Sequence, residues 1–126
     1  VGEDNIIIFG LTAQEVNDRR ASGYNPREVI GQSRELSQAL DAIASGVFSP
    51  DDPDRYKALI QGIHDHDWFM VAADFDAYAA AQRAVDARWA DPAGWRRATI
   101  LNTANMGWFS SDRTISDYAR EIWGVM

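Results

Sequence analysis

The 126-residue sequence contains no cysteine and one lysine, Lys57. The first absence excludes a disulfide framework, a thiolate metal site and a cysteine nucleophile. The second leaves a single amine for any Schiff-base chemistry. Proline is confined to Pro26, Pro50, Pro53 and Pro92, so long stretches are open to uninterrupted helix. No apolar run approaches the roughly 20 residues of a membrane-spanning helix, and Ile6-Ile7-Ile8-Phe9 is far too short to cross a bilayer. Positive charge is also scarce. A net charge of -7 and a pI near 4.6 argue against sequence-independent nucleic-acid binding, which needs Lys and Arg to displace counterions from phosphates. No serine stands in a G-x-S-x-G elbow and no glycine-rich phosphate loop occurs.

What is present is a helical pattern with good starts and stops. With 46% hydrophobic residues the chain can build a core, burying roughly two thirds of its unfolded surface if it folds alone. Ile6 to Phe9, ending at Gly10, reads as a buried strand of a parallel sheet. Thr12 with Glu15 reads as a capping box opening a helix. Pro26 to Gly31 reads as a helical turn, and Leu36, Leu40 and Ile43 mark one face of a helix ending at Gly46. The acidic turn Ser49 to Asp54 leads into a helix through Tyr56, Leu59, Ile60 and Ile63, with its carboxylates in helix-capping roles. Trp68 to Val71 reads as a short strand or an irregular apolar link. Phe75, Tyr78, Gln82, Val85 and Trp89 recur at helical spacing. Asp91-Pro92 supplies an N-cap and first-turn proline for a helix running to Gly107. In the last helix Thr114 is the expected cap, with Asp117 three residues on, and Ile115, Tyr118, Ala119 and Ile122 share a face.

Few residues suggest chemistry. His64-Asp65-His66-Asp67 places two imidazoles at alternate positions, but two histidines without a third ligand read as a solvated polar turn rather than a zinc site. Asp51-Asp52-Pro53-Asp54 lacks the glycine and the distant glutamate of a calcium loop. Nineteen acidic residues make any carboxylate pair uninformative about glycoside hydrolysis. Trp68, Trp89, Trp95, Trp108 and Trp123 would suit sugar stacking, yet core or interdomain packing is the commoner fate of indoles beside helical stripes.

The ends of the chain carry a more specific signal. Phe109-Ser110-Ser111-Asp112-Arg113-Thr114-Ile115, followed by Asp117-Tyr118-Ala119-Arg120-Glu121-Ile122-Trp123-Gly124-Val125, resembles the extreme C-terminus of glycogen and α-glucan phosphorylases. Asn5 to Leu11 resembles an upstream landmark of the same family. Ser45 to Pro50 with Asp52-Pro53, His66 to Phe69 with Ala73 to Tyr78, and Asp91 to Trp95 follow in family order.

The resemblance implies that residues 1-126 are one incomplete domain from the C-terminal lobe of a two-lobed enzyme. The expected fold class is mainly α with one or two short strands, within a Rossmann-like lobe of GT-B type. It further implies a parent that transfers glucosyl units from an α-glucan to phosphate, with pyridoxal phosphate as proton relay. The cofactor lysine and glycine-rich substrate loop would lie upstream. No catalytic, cofactor-binding or metal residue is therefore expected here, and no cofactor on this chain. The expected partners are the upstream polypeptide, with α-glucan and phosphate for the parent. Nucleic acid and membrane are not expected, and self-association of the isolated fragment is possible. The absence of a basic, apolar leader suggests the cytoplasm. The alternative is a small acidic helical module that binds a carbohydrate or a protein through its aromatics.

Overall fold

A computed structural model describes residues 1–125. Among the described residues there are seven α-helices: α1 (Ala13–Ala21), α2 (Pro26–Gln32), α3 (Arg34–Ala44), α4 (Lys57–Asp65), α5 (Val71–Trp89), α6 (Pro92–Ala104) and α7 (Ser111–Glu121). Short 3-10 turns occupy Glu3–Asn5 and Met106–Phe109. The chain divides into two compact units, residues 9–83 and residues 1–8 with 84–126.

In the 9–83 unit, local capping chemistry sets the helices. Thr12 Oγ1 accepts from the Glu15 amide at 3.3 Å and the Glu15 carboxylate accepts from the Thr12 amide at 2.8 Å, a reciprocal capping box. These bonds from Thr12 hold the Glu15 carboxyl below the usual carboxylate range. Asn25 caps α2, with Pro26 in its first turn. Ser33 ends α2 through its amide and opens α3 through its hydroxyl, which accepts from the Leu36 amide and donates to Asp76 Oδ1 at 2.7 Å. Gly46, at φ 77°, closes the turn after α3; a Cβ there would lie 2.9 Å from Pro53 Cα, so only glycine fits.

The core of this unit is Ile30, Leu36, Leu40, Ile60 and Ala72, with Val29, Ile43, Ile63 and Phe75 packed against it. Helices α2, α3 and α4 pack mutually around it. Each large aliphatic side chain fully buried there contributes roughly 1.5–3 kcal/mol relative to exposure.

The 1–8 and 84–126 unit is built on α6. Asp91 caps it by accepting from the amides of Ala93 and Gly94. Both 3-10 turns pack on α6, and α7 packs on the second turn. Trp89 meets Trp95 edge-on, with centroids 5.2 Å apart. Of its described residues only Ala119 is buried.

Several sequence expectations are corrected. Among the described residues no strand forms. Ile6 has extended backbone, but a strand also needs ladder partners, and among the described residues no extended segment pairs with it. Of the two readings of Trp68 to Val71 the irregular link holds and the strand does not: it is a turn entering α5, where Asp67 and Met70 adopt left-handed conformations, φ 35° and 55°. The acidic residues before α4 do not cap it: Asp51 and Asp52 pair with Arg55, and Asp54 with Lys57. The helix after Asp91-Pro92 ends at Ala104 rather than Gly107, and a 3-10 turn follows it. In α7 the cap is Ser110, whose hydroxyl accepts from the Arg113 amide at 3.1 Å. Thr114 lies inside the helix and bonds back to Ser110 O, while Asp117 pairs with Arg113 and Arg120. The better N-cap lay four residues earlier than expected.

Candidate functional site

The most constrained place in the 9–83 unit is the link from α4 to α5. Asp67 is 4% exposed, and its carboxylate gathers three donors. Oδ1 accepts from the Val71 amide at 2.8 Å, and Oδ2 accepts from the Ala72 amide at 2.9 Å and from the Tyr24 hydroxyl at 2.6 Å. Asp67 thus satisfies the open N-terminus of α5, where a carboxylate also complements the helix dipole. Desolvation, and then the bond to Asp67, push the Tyr24 hydroxyl well above its usual pKa of 10.0. A second carboxylate, Asp74, accepts from the Leu11 amide at 2.8 Å. Gly10, at φ 85°, makes this approach possible, since a Cβ there would sit 2.8 Å from the Asp74 carboxylate.

This scaffold turns two aromatic side chains outward. Met70 is 1% exposed, whereas Trp68 is 72% and Phe69 81% exposed. Arg20 Nη2 donates to Trp68 O at 2.7 Å, and its guanidinium lies 5.5 Å from the indole centroid.

The histidine segment is pulled apart by the same link. Asp65 pairs with Arg27 and Asp67 turns inward, while His64 is half-buried and His66 exposed. Lys57 is exposed, and its Nζ lies 3.7 Å from Asp54 Oδ1.

In the other unit, a groove of about 570 Å³ is lined by Asn5, Ile6, Arg88, Asp91, Trp95 and Asn102 among others. Several of its polar groups are engaged internally. Asn102 Nδ2 donates to Asn5 O, Arg88 Nη1 donates to Asp4 O, and Asp91 caps α6. Four of the five tryptophans are exposed and Trp95 alone is half-buried, so of the expected core or interdomain packing the core part does not hold for those four within the described residues. On α7 Ile115 and Tyr118 are exposed and Ala119 is buried, and Ile122 just after it is exposed.

Comparison with known proteins places the chain in a family. A family model described as carbohydrate phosphorylase matches residues 1–125. The chain belongs to the carbohydrate phosphorylase family. It is 46% identical over 125 residues to a glycogen phosphorylase of Haemophilus influenzae, covering 99% of this chain and 15% of that protein. It is 47% identical over 124 residues to the brain form of glycogen phosphorylase of Rattus norvegicus, and 44% identical over 124 residues to the human muscle form. Both matches cover 98% of this chain and 15% of the relative. The chain therefore spans about one seventh of the length of these phosphorylases. No described helix is long and apolar enough to cross a membrane.

Tyr24 and Arg20 are the residues sequence reading missed. Their partners, Asp67 and Trp68, lie 43 and 48 positions away. The local signal was an aspartate placed just before an apolar helix start.

Proposed function

We propose that this chain is the C-terminal part of the C-terminal lobe of an α-glucan phosphorylase. The parent would cleave a terminal glucosyl bond of the glucan with inorganic phosphate. The bond from C1 to the glucan oxygen breaks and a bond from C1 to a phosphate oxygen forms with retention, releasing glucose 1-phosphate. The observation that carries this reading is 46–47% identity to glycogen phosphorylases across nearly the whole chain. Within the parent, residues 1–126 form one incomplete domain of a Rossmann-like GT-B lobe in the cytoplasm. Ile6 to Phe9 joins a sheet contributed by upstream polypeptide.

This segment holds no catalytic or cofactor residue in this reading. Pyridoxal phosphate belongs to upstream residues, and α7 braces the N-terminal lobe through Ile115, Tyr118, Ile122 and Trp123. Those side chains are exposed here, as a bracing face requires before it meets its partner. In isolation the same face promotes self-association.

The test is phosphorolysis by the polypeptide that carries this segment, with maltoheptaose and inorganic phosphate as substrates. Glucose 1-phosphate is the expected product. Its absence from a cofactor-loaded preparation would overturn the assignment. The isolated chain is expected to form no pyridoxal phosphate aldimine, and a visible aldimine band lost in Lys57→Ala would overturn that part.

A second reading, a small carbohydrate- or protein-binding module, is favoured by one observation, the exposure of Trp68, Trp89, Trp108 and Trp123.

A further inference from the structure

We infer that Arg113 is a positioning residue, a latch that fixes the direction in which α7 leaves the Met106–Phe109 turn. All parts of the latch lie between residues 108 and 120, so it needs nothing from outside this chain.

Local rules disfavour an arginine at this place. Arg113 is the third residue of α7, where the helix dipole favours acids such as Asp112 and opposes a cation. It also precedes its carboxylate partner, Asp117, by four residues, the weaker order for an ion pair along a helix. Helix stability therefore gives little reason for the guanidinium, and its contacts give a better one. Nε donates to Trp108 O in the 3-10 turn, and the guanidinium lies 4.1 Å from the Trp108 ring centroid. Nη1 donates to Asp117 Oδ2 at 2.6 Å, while Asp117 Oδ1 accepts from Arg120 Nη2 at 2.8 Å. One planar group, with its donors in a fixed fork, thus joins the carbonyl and ring of the turn to the second turn of α7.

Such a joint sets an angle. The Ser110 cap fixes where the helix begins, and the Arg113 contacts, made on both sides of Ser110, fix where it points. The Arg113 and Asp117 side chains are 35% and 27% exposed, the most covered ion pair among the described residues, so solvent screens it less than the others. A lysine there would keep the charge but lose the fork and the stacking plane. The heading of α7 carries with it that of Ile115 and Tyr118, exposed residues of the face assigned above to bracing. Arg113 acts on that face without belonging to it, and the latch stands whether or not the bracing assignment holds.

The test is solution NMR of this chain, at a concentration where sedimentation shows monomer, on wild type, Arg113→Lys and Trp108→Ala. In wild type the Arg113 Cδ protons should be shifted upfield by the Trp108 ring, and residual dipolar couplings of α6 and α7 should fit one rigid body. Both variants are expected to lose the common fit while keeping their helix content by circular dichroism. Amide exchange across Ile115 to Ala119 should quicken about fivefold, the effect of about one lost hydrogen bond. Unshifted Cδ protons in wild type would overturn the inference without recourse to any variant. A common fit that survives in Arg113→Lys would also overturn it, reducing the contact to an ordinary ion pair with Asp117. So would lost helix content in that variant, which would make Arg113 a stabiliser of the helix rather than its guide.

Discussion

The two compact units are made from the same kind of sequence and hold together in different ways. Residues 9–83 fold around Ile30, Leu36, Leu40, Ile60 and Ala72, and polar locks at Ser33 and Asp67 join helices distant in sequence. Residues 1–8 and 84–126 form equally regular helices with sound caps at Asp91 and Ser110, yet Ile100, Trp108, Phe109, Ile115 and Ile122 all lie open. Helix formation is a local matter of propensity and capping, whereas burial needs a second surface. A well-formed amphipathic helix is therefore no sign of a completed core. The more sharply amphipathic α7 is, the more it requires a partner that this unit does not supply.

The comparison makes measurable demands, of which the largest falls on the closed core. Leu40→Ala removes a buried side chain between packed helices and is expected to cost about 2–5 kcal/mol in urea unfolding. Ile122→Ala, on an exposed face, is expected to stay within about 0.5 kcal/mol. Equal losses would erase the distinction between the units. Asp67→Ala strands the α5 amides and the Tyr24 hydroxyl, at a cost of roughly 3 kcal/mol, since bonds to a charged group are worth about 1.5–3 kcal/mol each and water recovers part.

Tyr24→Phe is a smaller change, about 1 kcal/mol near neutral pH, with a distinct pH signature. The Tyr24 pKa is raised in the folded protein, so its contribution is fully present below the ordinary value of 10.0 and is lost as pH rises above it toward the folded value. Wild-type stability should fall more steeply than that of Tyr24→Phe above that point. Parallel curves would mean that the hydroxyl is not held by Asp67.

Two caps complete the series. Thr12→Ala and Ser110→Ala are each expected to cost about 1 kcal/mol, whereas Thr114→Ala should cost less than about 0.5 kcal/mol. The urea transition would read the first, and amide exchange in α7 the other two. Ile122→Glu should raise the monomer fraction in sedimentation, and a wild-type chain already monomeric at high concentration would remove the evidence for an unmet face.

Much of this architecture was legible because its causes are local. The Thr12 and Glu15 box, the Asp91-Pro92 start and the Leu36, Leu40 and Ile43 stripe each lie within a few residues of the structure they produce. The α7 cap was misread for a related reason. Ser110, Ser111 and Thr114 are all competent caps, and which one acts depends on where the preceding 3-10 turn delivers the chain. Ile6 to Phe9 forms no strand among the described residues because β-branched sequence supplies extended backbone without supplying the neighbour. At Trp68 the sequence left a strand and an irregular link both open, since the left-handed residues that decide for the link are fixed by Tyr24 and by the start of α5.

The sequence alone determined the family, the helix starts set by side chains beside them, and the absence of thiol chemistry, because these depend on residue identity and short spacing. Tertiary structure decided which apolar residues are inside. Hydrophobic pattern marks a face as needing cover but does not say whether cover arrives, so Leu40 and Ile122, alike in the sequence, have opposite fates: one meets Ile30 and Ile60 in a closed core, and the other faces water.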